Sequence, residues 1–296
     1  MKATKIMMTL AVALIAVGCT TEPGATGDKN LNTDVVTIRV TGIPDENPSE
    51  LQRRNAPLVE YLSSELGTKV EYIPVTDYGA AVAALAAGQV DFAWLGGFTH
   101  VQARKMSGAV PLTMRAIDRE FQSVFITHVS SGVEQMKDIK GKTIAFGSKS
   151  STSGHLMPRH FLAADFGIDS DKDLAGEPVF SGAHDATAKV VESGKVAVGA
   201  LNKQVWERLL AEGKIDPSKV KLLWTTPGYV DYVWTARQEL SPTVQKKFTE
   251  AFLKLDPKVP AHAEVLSLQN AKRFVNASPS DFNAIEGVAV ASGLLK

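Results

Sequence analysis

The sequence predicts an α/β protein of two α/β lobes joined by two hinge crossings. Three observations support this. Short β-rich runs are followed by helical runs that stop at glycine, the pattern of parallel strands with right-handed crossovers. The helix–Gly–strand unit Ala80–Leu95 is echoed at Ala186–Leu201, with Gly194 and Leu201 each 106 positions after Gly88 and Leu95. A strand at Thr143–Phe146 runs into the hydroxyl-rich turn Ser150-Ser151-Thr152-Ser153, and a helix follows from about Leu156.

The N-terminus reads as a processing segment rather than as fold. Lys2 and Lys5 precede an apolar run, Met7–Val17, too short to span a bilayer, so residues 1–18 are expected to be an export signal. Ala16-Val17-Gly18-Cys19 resembles a lipobox, with Ala16 where Leu is usual. Cys19 is the only cysteine in the 296 residues, so an internal disulfide is excluded and lipid attachment suits it. A plain cleavable signal with an incidental cysteine is the alternative. Residues 19–34 have almost nothing to bury and read as a flexible tether, leaving an exported, lipid-anchored body.

The body begins with a strand at Val35–Val40. Asn47 is placed to cap the next helix, Pro48 suits its first position, and Glu50 would complete a capping box; the helix stops at Gly67. A strand at Val70–Pro74, a helix from Tyr78 to Ala87, a buried strand at Val90–Leu95 and a helix at Phe98–Ser107 follow. Extended crossings near Arg115–Ser123 and Thr225–Asp231 divide the chain. Lobe one is then 35–119 plus 228–296, and lobe two is 120–227, with strand-like hinges that permit closure. The tail after Pro242 reads as mainly helical and packed on lobe one.

Lys plus Arg and Asp plus Glu both number 32, with no basic run, which argues against a nucleic-acid partner. The Ser151–Ser153 turn offers backbone N–H groups and hydroxyls at the positive end of a helix dipole, a ready pocket for a small oxyanion. A helix start needs only one such cap, and four hydroxyl residues in a row exceed that need.

Ser150-Ser151-Thr152-Ser153-Gly154-His155-Leu156-Met157-Pro158 resembles the signature of the phosphonate/phosphite-type substrate-binding proteins of ABC importers. Asp91-Phe92-Ala93-Trp94-Leu95-Gly96-Gly97-Phe98-Thr99 and Ser181-Gly182-Ala183-His184-Asp185 agree with that family in order. The segments Ile43–Pro48, Gly96–Arg104 and Thr226–Tyr232 look closer to its selenate-binding branch. The resemblance implies a type II periplasmic-binding-protein fold, capture of a tetrahedral oxyanion (phosphite, phosphonate or selenate), and delivery by a monomer to a permease and its ATPase. It places Ser151, Thr152 and Ser153 on the ligand oxygens, Gly97 and Phe98 on the cleft loop, Tyr78 and His184 as donors from opposite lobes, and Asp231 at the hinge. Two positions depart from the pattern. Phe121 stands where phosphonate binders carry a tyrosine, and Asn202 where aminophosphonate binders carry a glutamate.

Blander readings stay open at several of these positions. His184 can serve its own loop, Tyr78 can pack beneath its helix, and Asp231 can pair with Arg115 or Arg119. A hydrolase built from Ser153, His155 and Asp185 lacks the Gly-x-Ser-x-Gly elbow, and His155 follows Ser153 too closely to be its base. His155 and His160 are five apart, the wrong spacing for metal on one helix face, and no cofactor is expected. A ligand-sensing lipoprotein would use the same fold and closure as an importer.

Overall fold

A computed structural model describes residues 37–295. The expected signal, Cys19, the tether and the first residues of the Val35 strand lie outside the described residues. Two sheets organise the rest. The first starts with β1 (Ile38–Gly42), α1 (Pro48–Leu66), β2 (Val70–Tyr72), α2 (Tyr78–Ala86), β3 (Phe92–Leu95), α3 (Gly97–Ser107) and β4 (Val110–Arg115). The second is built from β5 (Ser123–His128), β6 (Ile144–Phe146), α4 (Met157–Phe166), β7 (Val179–Phe180), α5 (His184–Glu192), β8 (Val198–Asn202), α6 (Lys203–Ala211) and β9 (Val220–Thr225). The chain then returns to the first sheet with β10 (Val233–Ala236), α7 (Pro242–Leu253), α8 (Pro260–Leu268), β11 (Phe274–Asn276) and α9 (Asn283–Ala291).

The strand orders are β11-β4-β10-β3-β1-β2 and β7-β6-β8-β5-β9. Both sheets are mixed rather than parallel throughout. β1 pairs in parallel with β2 and β3, but β10 runs against β3 and β4, and β5 against β8 and β9. The crossings explain this. Each arrives at the C-terminal edge of its sheet, so the strand it feeds must run backwards. The tail also contributes β11, an edge strand against β4 that its mainly helical pattern hid.

The first crossing departs from expectation, because Ala116–Glu120 forms a tight helical turn instead of an extended hinge. Asp118 closes that turn, accepting from the Arg115 N–H (3.0 Å) and bidentately from its guanidinium (2.8 and 2.6 Å). Beyond it the crossings are extended, and Phe121 and Tyr229 exchange backbone bonds of 2.7 and 2.9 Å. The Asp231 N–H then donates to the Asp118 carbonyl (2.9 Å).

α1 keeps its expected ends, with Asn47 accepting from the Ser49 N–H (3.0 Å) and Gly67 left-handed at φ 63°. The capping box is not closed by Glu50, whose carboxylate takes Arg53 instead (2.6 Å). The Asn47 N–H donates to Asp185 on α5 (3.0 Å), so the second sheet's helix completes the cap of the first sheet's helix.

Each sheet is covered on both faces. α1, α7 and α8 bury one face of the first sheet around Leu62, Phe92, Trp234 and Phe248, and α2, α3 and α9 bury the other. That second cluster also holds Leu156 and Met157 from the turn after β6, so apolar packing runs between the sheets beside the crossings. No helix among the described residues is long and apolar enough to cross a membrane.

Candidate functional site

The C-terminal edges of both sheets face one another, the place where open α/β sheets bind ligands. From the second sheet, β6 ends in the hydroxyl-rich turn. Ser151 caps it by accepting from the Gly154 N–H (2.9 Å), and Thr152–Leu156 form a wide π-type turn before α4. Widened turns of this kind are frequent at functional sites. The Gly147 N–H donates to the Gly154 carbonyl (2.8 Å), folding the turn back on the strand end. The helix thus begins at Thr152, four residues ahead of the expected start.

From the first sheet, α3 begins at Gly97 without a side-chain cap of its own. Its first N–H groups are met from elsewhere. Gly97 donates to Asp231 Oδ1 (2.9 Å) and Phe98 donates to Thr152 Oγ1 (3.0 Å). Gly96 permits this approach, because a Cβ there would stand 2.9 Å from Thr152 Oγ1 and 3.1 Å from Asp231 Oδ1. Asp231, Thr152, Gly97 and Phe98 are therefore one cluster, drawn from a crossing, a turn and a helix start.

Three polar atoms here are buried without a hydrogen-bond partner: Tyr78 Oη, Ser153 Oγ and Asp231 Oδ2. Buried polar atoms are nearly always paired, so three together make this cluster the candidate site. No guanidinium neutralises Asp231. Arg115 is taken by Asp118, and Arg119 pairs with Asp281 at 3.3 Å. Burial pushes the Asp231 carboxyl up to about 7, against the Gly97 N–H and the nearby Thr152 and Ser153 hydroxyls, which pull it down. Burial also raises the Tyr78 phenol well above its usual value, with Asp45 adding to the rise, so it stays a neutral donor.

His184 opens α5 and is fully buried. Its Nδ1 accepts from the Asn202 N–H (3.3 Å), which leaves Nε2–H to donate toward the Tyr232 hydroxyl at 3.3 Å. Burial lowers its pKa, opposed by Asp45 and Asp185, and keeps the ring neutral. It lies against Gly154, where a Cβ would come within 3.0 Å of Cε1. Asn202 caps α6 through Oδ1, accepting from Gln204 (2.8 Å) and Val205 (3.1 Å), and its Nδ2 donates to Tyr232 (3.2 Å). Phe121 is buried edge-on to Tyr229 and Tyr232.

Sequence reasoning passed over Asp45, Ser123, Tyr229 and Tyr232. The Ser123 hydroxyl donates to the Ser153 carbonyl (2.7 Å) and contacts the Tyr229 hydroxyl at 2.5 Å, fixing the turn from below. The Tyr232 hydroxyl donates to Asp45 Oδ2 (2.7 Å). Only the extended spacing of Tyr229 and Tyr232 around Asp231 hinted at them. The hydrolase alternative finds no support, since Asp185 is engaged by Asn47 and by the Ala186 N–H (2.8 Å). His155 Nδ1 bonds the Lys149 carbonyl (2.8 Å) with its ring against Phe146 and Phe180, and burial lowers it to about 4. Among the described residues, no group of three or more His, Cys, Asp or Glu side chains could hold a metal ion.

A sequence profile described as "ABC transporter, phosphonate, periplasmic substrate-binding protein" matches residues 40–282. The probable ABC transporter phosphite binding protein PhnD1 of Prochlorococcus marinus is 38% identical over 262 residues, covering 85% of this chain and 88% of that one. The phosphate-import protein PhnD of Mycolicibacterium smegmatis is 30% identical, over 73% of this chain and 71% of its own. The solved structure of the Prochlorococcus protein in complex with methylphosphonate superimposes with a TM-score of 0.82 at 36% identity, covering 87% of this chain and 98% of that one.

Proposed function

This chain belongs to the periplasmic phosphonate substrate-binding proteins of ABC transporters, and we propose that its site takes a tetrahedral phosphorus oxyanion carrying one proton, phosphite or a small phosphonate. Its family makes it a carrier that delivers ligand to a transporter, not an enzyme. Ser151–Ser153, beside the α3 start, would hold the oxygens, Tyr78 would donate from α2, and closure of the two sheet units would enclose the ligand. Closure follows because a ligand bridging both units binds the closed state better than the open one.

One observation carries the choice of ligand. Asp231 is buried, unneutralised, and leaves Oδ2 without a partner. In its ionised form, which prevails above about pH 7, a carboxylate in that position repels a fully ionised oxyanion and accepts a strong hydrogen bond from a protonated one. Phosphite, phosphonates and phosphate keep a proton near neutral pH, whereas sulfate and selenate do not. The ligands named for the two relatives fit the same rule. Selenate, expected from branch resemblance, is disfavoured by this argument. Titration calorimetry with phosphite, methylphosphonate, phosphate, sulfate and selenate tests it: the phosphorus oxyanions should bind, and selenate binding as tightly as phosphite would refute the reading.

We also propose a lipid anchor on Cys19, on the strength of its position after the apolar run and its being the sole cysteine. Cys19→Ala should shift the protein from the membrane to the soluble fraction, and a variant that stays membrane-bound would contradict lipidation.

A further inference from the structure

Beside the site lies a cavity of about 510 Å³, framed by α1, α6 and the end of α8. Tyr232, Asn202 and Asp45 line it beside Trp94, and the ion-paired Glu46, Glu50, Arg54 and Arg208 also line it. Tyr232 is 2% exposed and fixed on every side. Its hydroxyl meets Asp45 (2.7 Å), Asn202 (3.2 Å) and His184 (3.3 Å). Its ring stacks on Trp94 (5.6 Å between centroids, 18°) and lies under the Arg115 guanidinium (5.1 Å). Arg115 is itself locked by Asp118.

Tyr232 thus separates two spaces. On one side is His184, whose ring abuts Gly154 of the hydroxyl-rich turn, with Phe121 edge-on at 5.4 Å. On the other side is the cavity. With the oxyanion held as proposed by Ser151–Ser153 and Tyr78, a phosphonate's organic substituent would be left to face the remaining wall. That wall is held by three buried hydrogen bonds, and opening it would strand Asp45 without its donor.

We propose that Tyr232, held shut by Asp45 and Asn202, is a partition that sets the upper size of the ligand. The cavity behind it is the room a longer organic substituent would occupy if the partition were opened. This rests on the phosphorus-oxyanion reading above. The wild-type protein then selects phosphite and methylphosphonate over longer alkylphosphonates by a stiff wall, although space exists beyond it.

Calorimetry with phosphite, methylphosphonate and butylphosphonate on three variants tests the partition. Tyr232→Ala joins the two spaces. Asn202→Ser shortens the wall while keeping an oxygen to cap α6, and carries the test should Tyr232→Ala not fold. Tyr232→Phe cuts the hydrogen bonds and leaves the ring. Wild-type protein should strongly prefer methylphosphonate to butylphosphonate. Tyr232→Ala and Asn202→Ser should raise the butyl-to-methyl affinity ratio by about tenfold, as relief of the steric clash with the longer chain supplies, and Tyr232→Phe by less. A ratio that does not move in folded variants that still bind phosphite would overturn the partition alone. So would wild-type protein that binds both phosphonates equally. Wild-type protein that binds none of the three would overturn the oxyanion reading and the partition with it.

Discussion

Asp231 places one carboxylate oxygen on the Gly97 N–H, at the positive end of α3, and leaves the other buried and unpaired. Its pKa rises from 3.8 in the unfolded chain to about 7 in the fold, so the native state holds a proton that the unfolded state releases. Stability from this group is therefore fully present below about pH 4 and is lost progressively as pH climbs to about 7, by about 4 kcal/mol in all. Thermal melts of the ligand-free protein at pH 5 and pH 8 should show this loss, and Asp231→Asn should shrink the difference. An unchanged difference in the variant would place the titration elsewhere. The same substitution should weaken methylphosphonate while helping selenate and sulfate, because the repulsive carboxylate is gone and the acceptor for the ligand proton is lost. Calorimetric affinities for both ligand classes check this, and an unaltered ratio would remove Asp231 from the pocket.

The start of α3 and the turn after β6 illustrate how elements from two sheets finish one another. Neither is complete alone: α3 has no side-chain cap within its own segment, and Thr152 and Asp231 supply its acceptors. Gly96 is the spacer that allows it, at an ordinary φ of −71°, so its role is close approach rather than backbone freedom. Gly96→Ala should push Thr152 and Asp231 apart at a cost of about 1–3 kcal/mol, felt in ligand affinity. Calorimetry beside circular dichroism checks it; native affinity in the alanine variant would show that the walls need not come so close. Replacing both Thr152 and Ser153 with leucine should abolish oxyanion binding and leave the secondary structure intact. Retained binding would move the ligand away from this turn.

Across the two sheets, polar contacts gather on the loop after β1. Glu46, nearly fully buried, receives Arg54 from α1 (2.6 Å) and Arg208 from α6, and Arg208 also reaches Glu50 (3.4 Å). The His184 N–H donates to the Asp45 carbonyl (2.9 Å), and Asp185 accepts from Asn47. These bonds are available only when the sheet units are together, so they would add to the closure proposed for ligand binding. Arg208→Ala should weaken ligand binding by about 1–2 kcal/mol, a figure held down because Arg208 is 24% exposed and Arg54 remains on Glu46. Small-angle scattering should show less compaction on ligand addition than in the wild type. Full compaction at native affinity would show that the ion pairs only decorate the rim.

Local chemistry was enough to read the element ends and the hydroxyl-rich turn. The Asn47 cap and the Gly67 stop depend on residues within a few positions of one another, and short-range hydrogen bonds do not need the rest of the chain. The alternation of strands and helices likewise exposed the α/β architecture, because burial of each face imposes its own period on the sequence. Direction of the returning strands, β11, and the tight turn at Ala116–Glu120 followed from where the crossings meet the sheets, which no local pattern records. The partners of each site residue belong to the same class. Whether Asp231 had a guanidinium, whether Asn202 faced a ligand or capped a helix, and which side chain held His184 were decided by groups distant in sequence and adjacent only after folding. Side-chain types pointed to an anion; the tertiary placement of Asp231 and Tyr232 is what the proposals about its proton and its size rest on.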